Sequence, residues 1–207
     1  MCALSCREIQ PFEAPLSVPG YEFNGTVTTA NGVPLDSVEV RLFYKTALVR
    51  ETPIDTQGVV VTDPSRIVYI AVYTEHNQYI RQLFFGYRSP GLLPRFHWDE
   101  QDDSGHFVPS GKYLIRYVYN ATIVKEVSHL AEGHRTAMSN NFGEFRIAND
   151  HFPIGELFDF YEDEGTYYGT FEVLSQVRLV LSRGTLQSSY LVGMEKNKIT
   201  RGAFILE

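Results

Sequence analysis

The sequence predicts an all-β protein of packed β-sandwich modules, and three observations predict it. Short alternating or apolar runs recur along the chain, bounded by Gly, Pro, Asn and Asp. Aromatic residues are abundant, with 13 Tyr and 14 Phe against one Trp, and such rings pack well on pleated, half-buried surfaces. Segments long enough to cross over between parallel strands as helices are missing, which disfavours α/β folds and their nucleotide crevices.

The elements follow in order. Pro11, Pro15 and Pro19 punctuate a stretch of little periodicity, so residues 1–20 are expected to be an extended tether. Phe23 to Thr29 is a β-prone run, Ala30-Asn31-Gly32 a turn, and Ser37 to Tyr44 sets Val38, Val40 and Leu42 against Glu39 and Arg41, as a half-buried strand does. A second group comprises Val59 to Val61, Ile67 to Tyr73, Tyr79 to Phe85, Phe96 to Trp98 and Tyr113 to Tyr119. Ser128 to Asn141 is polar, with Gly133 and Asn140-Asn141 as breakers, and is expected to be a loop joining two units. Gly143 to Ala148, Tyr167 to Leu174, Gln176 to Ser182 and Gly202 to Leu206 are strand-like again.

Composition bounds the function. A chain of 207 residues, 43% hydrophobic and 21% charged, can bury a core in one or two domains. A net charge of -7, with no long basic cluster to offset it, argues against a nucleic-acid partner. No apolar run approaches the 18 or so residues of a spanning helix, so any membrane attachment is expected at a terminus. The two cysteines, Cys2 and Cys6, both precede the fold, so no disulfide staples its body.

The most patterned stretch is Trp98-Asp99-Glu100-Gln101-Asp102-Asp103-Ser104-Gly105-His106-Phe107-Val108-Pro109-Ser110-Gly111-Lys112-Tyr113. Asp102 to Gly105 are turn formers whose short side chains bond nearby backbone N–H groups, and Pro109-Ser110-Gly111 makes a second turn. The stretch resembles the signature of the immunoglobulin-like domain of flagellar hook-capping proteins, with Glu100 standing where that pattern usually has Gly. Ile70 to Tyr73, the turn near Asn77, and Ile80-Arg81-Gln82-Leu83 with Gly86 resemble the strands before it, so the likeness covers about residues 55–120. Asn24 to Val27, Asn31 to Leu35 and Val38 to Val40 are similar to the opening of carboxypeptidase-regulatory-like, transthyretin-type sandwiches, whose next strand is matched only at Asn141 to Ile147. This implies a sandwich of residues 21–54 plus 121–207 carrying the 55–120 module as an insertion, with units in series as the alternative. Ala3-Leu4-Ser5-Cys6 resembles the end of a bacterial lipoprotein signal, without its basic and apolar regions, and implies lipidation of Cys6.

Candidate chemistry is sparse. Asp150, Glu156, Asp159, Glu162, Asp163 and Glu164 offer the oxygen ligands that calcium takes, but their spacing fits no EF-hand loop and a solvated acidic loop is the simpler expectation. Turn capping accounts for Asp99, Asp102 and Asp103. The six histidines are scattered, and His129 with His134 suits neither a helical pair nor a zinc finger, so ordinary surface or turn histidines are expected. Neither a G-x-S-x-G elbow nor a phosphate-cradling glycine loop occurs. Phe84-Phe85-Gly86-Tyr87 and Tyr161, Tyr167 and Tyr168 are candidates for an exposed ligand face, with core packing as the competing role. The expectation is a non-catalytic, cofactor-free structural or adhesive protein, lipid-anchored or periplasmic in the bacterial cell envelope or secreted, which holds a protein or glycan partner. The alternative is an accessory carbohydrate- or peptide-binding module using aromatic loops.

Overall fold

The computed structural model describes residues 19–54, 58–161 and 166–207. The fold is all-β; among the described residues the sole helical element is a 3-10 turn at Asn149–His151. Strands are numbered in chain order.

The first strand, β1 (Tyr21–Thr28), turns Phe23, Gly25 and Val27 inward and Glu22, Asn24 and Thr26 outward. It lies between β10 (Glu144–Ile147), antiparallel, and β14 (Lys198–Ile205), parallel. Facing this three-stranded sheet is a larger one centred on β12 (Tyr167–Arg183), a 17-residue strand. One side of β12 pairs with β2 (Glu39–Arg50), which in turn pairs with β9 (Arg135–Met138). The other side is shared: β11 (Leu157–Tyr161) takes its first part and β13 (Leu186–Gly193) its second. Val40 and Leu42 of β2 and Val177, Leu179 and Leu181 of β12 are fully buried against Phe23 and Val27. The rings of Phe23, Phe145 and Phe204 form a triangle with centroids 5.9–6.0 Å apart. They fit because Gly25 and Gly202, paired in register, present no Cβ to them: a methyl on Gly25 would lie 2.2 Å from Phe145, and one on Gly202 2.7 Å from Phe204.

Between β2 and β9 the chain builds a second set of sheets with its own core. Four antiparallel strands run in the order β5 (Tyr79–Tyr87), β4 (Ile67–Thr74), β7 (Gly111–Tyr119) and β8 (Thr122–Ala131). Val68, Ile70 and Val72 point inward with Tyr113, Ile115 and Tyr117. The opposing layer is the short pair β3 (Val60–Val61) and β6 (Gly91–Leu92) together with the loop to Ser110, which inserts Leu93, Trp98 and Val108.

Some expected elements change. Phe96 to Trp98 forms no strand, because this layer is loop: the Trp98 ring fills the core and its Nε1 donates to the Gln101 carbonyl at 2.8 Å instead of joining a ladder. The expected loop Ser128 to Asn141 contains the end of β8 and all of β9, whose backbones pair with β7 and β2 whatever their polar side chains.

The two cores are tied at the chain crossings. Ser110 Oγ donates to the Leu42 carbonyl (2.9 Å), which also accepts from Gly133 N (2.8 Å), and the Tyr44 hydroxyl donates to the His151 carbonyl (2.8 Å). Burial pushes the Tyr44 phenol well above its usual range. Lys112 Nζ joins Glu75 (2.8 Å) to Glu156 (2.5 Å); burial works against its charge, but the two carboxylates outweigh that and hold the ammonium above its ordinary value.

Candidate functional site

The outer face of the four-stranded sheet is built by register. Directly paired residues share a face, so Tyr69 on β4 stands beside Phe85 on β5 and Val118 on β7, and Val118 stands beside Ile123 on β8. Ile67 and Tyr87 extend this apolar row. Phe85, Tyr87 and Ile123 are 59, 65 and 54% exposed, so large apolar side chains are gathered on one solvent-facing side of the sheet. The next row is polar, with Gln82 and Arg116, the latter paired to Glu126 at 2.6 Å. Beyond it Tyr73 meets Tyr79 edge to face, and the Tyr79 hydroxyl donates to Asp103 (2.7 Å). Burial and the Tyr73 hydroxyl hold the Tyr69 phenol well above its usual range.

Of the four tyrosines expected as a ligand face, Tyr161 and Tyr167 are paired across β11 and β12 and pack edge to face with centroids 5.4 Å apart, while Tyr87 stands on a different sheet. Tyr87 lies on the face just described. Tyr161 sits under the Arg95 guanidinium, 3.3 Å from ring centroid to Cζ, and the Tyr167 hydroxyl bonds Thr170 Oγ1 at 2.7 Å, so both hold structure together. Tyr168 is 67% exposed and stacks on Phe171, forming a smaller patch. Of the acidic residues weighed for calcium, Glu156 takes Lys112, and Asp159 accepts from Ile54 N (2.9 Å) and Thr170 Oγ1 (2.5 Å). Among the described residues no group of three or more His, Cys, Asp or Glu is placed to hold a metal ion. Glu162, Asp163 and Cys6 lie outside the described residues.

Glu100 takes a role that its position alone does not announce. Its φ is +60°, the left-handed region that suits glycine and costs another residue roughly 1–2 kcal/mol. Its carboxylate is met by His129 Nε2 (2.9 Å) and His134 Nε2 (2.5 Å). Trp98 packs edge-on against His129, and Phe107 stacks on His134 with centroids 4.6 Å apart. These histidines are therefore partly buried carboxylate partners and not ordinary surface residues. Burial opposes ionisation of Glu100, but the two imidazoles outweigh it and hold the carboxyl below its usual range. A depressed folded value means that this contribution to stability is complete above the unfolded carboxyl's pKa, about 4.3, and is lost as pH falls through the lower folded value. Glu100→Ala is expected to lose roughly 1.5–3 kcal/mol at neutral pH in urea unfolding. Glu100→Gly should lose about 1 kcal/mol less, because it relieves the backbone. The Glu100→Gln deficit should shrink below pH 4 or so; a deficit that persists there would show that the carboxylate's charge is not what holds the histidines.

A second surface lies over the three-stranded sheet. Asn24 is paired across the strands with Arg146 on one side and Arg201 on the other. Glu22, 7% exposed, accepts from Arg146 Nη2 at 2.7 Å, and that hydrogen bond is the main cause that lowers its pKa. Asn24 Oδ1 is shielded from solvent and without a donor among the described residues, a state that costs about 1–3 kcal/mol. The surrounding cavity, about 690 Å³, is lined by Asn24, Thr26, Glu144, Arg146, Arg201 and Ala203, among others. Compared with known proteins, the chain matches no family model, no curated protein and no solved structure.

Proposed function

We propose that this protein is a non-catalytic β-sandwich scaffold of the bacterial cell envelope or its exterior, and that it works by holding a protein or glycan partner. The observation that carries the reading is the outer face of the four-stranded sheet, where Phe85, Tyr87, Ile67, Tyr69, Val118 and Ile123 stand together with large apolar area open to solvent. Aromatic side chains suit such a face, since they bring contact area at small entropic cost. The likeness of Trp98 to Tyr113 to the hook-capping immunoglobulin-like signature, and of Ala3 to Cys6 to a lipoprotein signal, supports the envelope setting. A second reading, an accessory carbohydrate- or peptide-binding module, draws on Tyr168, exposed and stacked on Phe171.

The test is sedimentation of the purified chain with isolated envelope fractions. Phe85→Ser, Tyr87→Ser and Ile123→Ser combined should cut retention at least tenfold. The thermal midpoint should barely move, because these side chains point away from the core. Retention equal to that of the parent would sink the adhesive-face reading. Expression with the upstream DNA addresses the anchor: the chain should partition with membranes and carry acyl mass on Cys6.

A further inference from the structure

We infer that the cavity between the inner face of the four-stranded sheet and the end of β11 is a binding site for a small apolar carboxylate, a molecule with one carboxylate head and a short hydrocarbon body. The cavity arises because the layer opposite that sheet is short. β3 and β6 pair over two residues each and leave part of the inner face of β7 and β8 uncovered. Ile115 and Val127 line the cavity from the sheet, and Leu93 and Phe96 line it from the opposing layer. Pro53, just past β2, and Tyr161, the last residue of β11, line it from the first set of sheets. Its volume, about 410 Å³, suits a small ligand, and it lies where two structural units meet, as such sites often do.

Two donors face this space. Tyr117, 6% exposed, points inward from β7 and lines the cavity. Its hydroxyl accepts a long bond from Phe96 N at 3.4 Å, but the phenolic proton has no acceptor among the described residues. Burial pushes that phenol above its usual range, so the proton stays in place at neutral pH and is there to be donated. The second donor is Arg95, which no carboxylate among the described residues pairs with. Its guanidinium is held flat on the Tyr161 ring, 3.3 Å from centroid to Cζ, which fixes the plane of the fork and leaves its N–H edge open. Its charge also reaches Tyr117 and partly offsets the effect of burial on the phenol, so the two groups address the same space. Two donors over an apolar wall call for an accepting head on a hydrocarbon body. Guanidinium and carboxylate match plane to plane through two N–H···O bonds, and a carboxylate has a lone pair left for the Tyr117 hydroxyl. Among the described residues that line the cavity there is no Asp or Glu to repel the head or compete with it. Lys125 borders the cavity as well and has a partner of its own.

Titration of the ¹⁵N-labelled full chain with octanoate and with phenylpropionate at neutral pH tests this. At least one acid is expected to give saturable shifts at the Phe96 and Ile115 amides and at Arg95 Nε. Octanol, which keeps the hydrocarbon body and lacks the charge, should bind at least tenfold more weakly. Tyr117→Phe and Arg95→Gln should each weaken binding at least tenfold. Leu92→Trp, which brings an indole to the cavity from a position 69% exposed, should block it; thermal melts check that each variant folds. The combined Phe85, Tyr87 and Ile123 variant, altered on the opposite face of the sheet, should bind the acid normally, so this site and the adhesive face stand or fall separately. The inference is overturned if neither acid shifts these signals at about 10 mM, where a Kd of about 1 mM would give roughly nine-tenths saturation. It is equally overturned if octanol binds as tightly as octanoate, or if folded Tyr117→Phe or Arg95→Gln binds like the parent.

Discussion

Trp98→Ala is expected to destabilise the second set of sheets by about 3–5 kcal/mol, the usual range for removing a large buried aromatic. The indole is 2% exposed and packs edge-on against Tyr113, with centroids 5.0 Å apart. It also covers His129, so its removal opens a cavity beneath the Glu100 cluster. The opposing layer, the β3–β6 pair and the loop that carries Leu93 and Val108, could refill that space only by giving up its own contacts in this core. Trp98→Phe, which keeps a ring but loses the hydrogen bond to Gln101, should cost distinctly less. Urea unfolding followed by circular dichroism measures both. In the parent chain the single tryptophan makes fluorescence a private reporter of this half of the molecule. A loss below about 1 kcal/mol would mean that the loop layer collapses readily and is not a fixed core.

The second large effect lies in the other core. Gly25→Ala adds one methyl group, which would stand 2.2 Å from the Phe145 ring, and that ring has Phe23 and Phe204 behind it. With the retreat blocked, overpacking of about 1–3 kcal/mol is expected. The cause is steric, so shrinking the neighbour should relieve it: Phe145→Leu, harmful alone, should restore stability when combined with Gly25→Ala. A double-mutant cycle by thermal or urea unfolding reads the coupling. Simple additivity would show that the two positions do not share the space that the packing assigns to them.

The sequence makes the strong strands legible where one face is buried and the other wet. Phe23 and Val27, Val40 and Leu42, and Ile70 and Val72 each mark an inward face before any coordinates are known. β13 escapes notice because Leu191 points outward with Gln187 and Ser189, and Leu186 at its start is exposed as well, leaving only half a pattern. The end of β8 hides for a related reason: Ser128 and His129 read as loop, and only pairing to β7 makes them strand. β11 sits inside the acidic run, and its alternation of Phe158 and Phe160 with Asp159 is outweighed by the charges around it. Of the candidate surfaces, the Phe84 to Tyr87 group is visible in the sequence. Its continuation through Tyr69, Val118 and Ile123 is not, because those residues meet only through register. Glu100 stands out as a departure from the expected Gly, but its partners are 29 and 34 positions away, beyond any local pattern. The cavity over the three-stranded sheet is invisible for the same reason: Arg146 and Arg201 are neighbours only across Asn24.

The parallel pairing of β1 with β14 sets a timetable for the molecule as it is made. When β1 emerges from the ribosome, both of its edges are bare, and neither partner exists until residues 144–147 and 198–205 have been synthesised. From Thr28 to Lys198 is roughly 170 residues, or about 10–35 s of translation at 5–20 residues per second. The strands between Val60 and Ala131 carry a core of their own and can close within that interval. The nascent chain therefore holds a finished module in its middle while an unpaired strand, with Phe23 and Val27 uncovered, waits at its start. That window is when a holdase has most to protect, and when a neighbouring nascent copy can offer its own β14 in exchange.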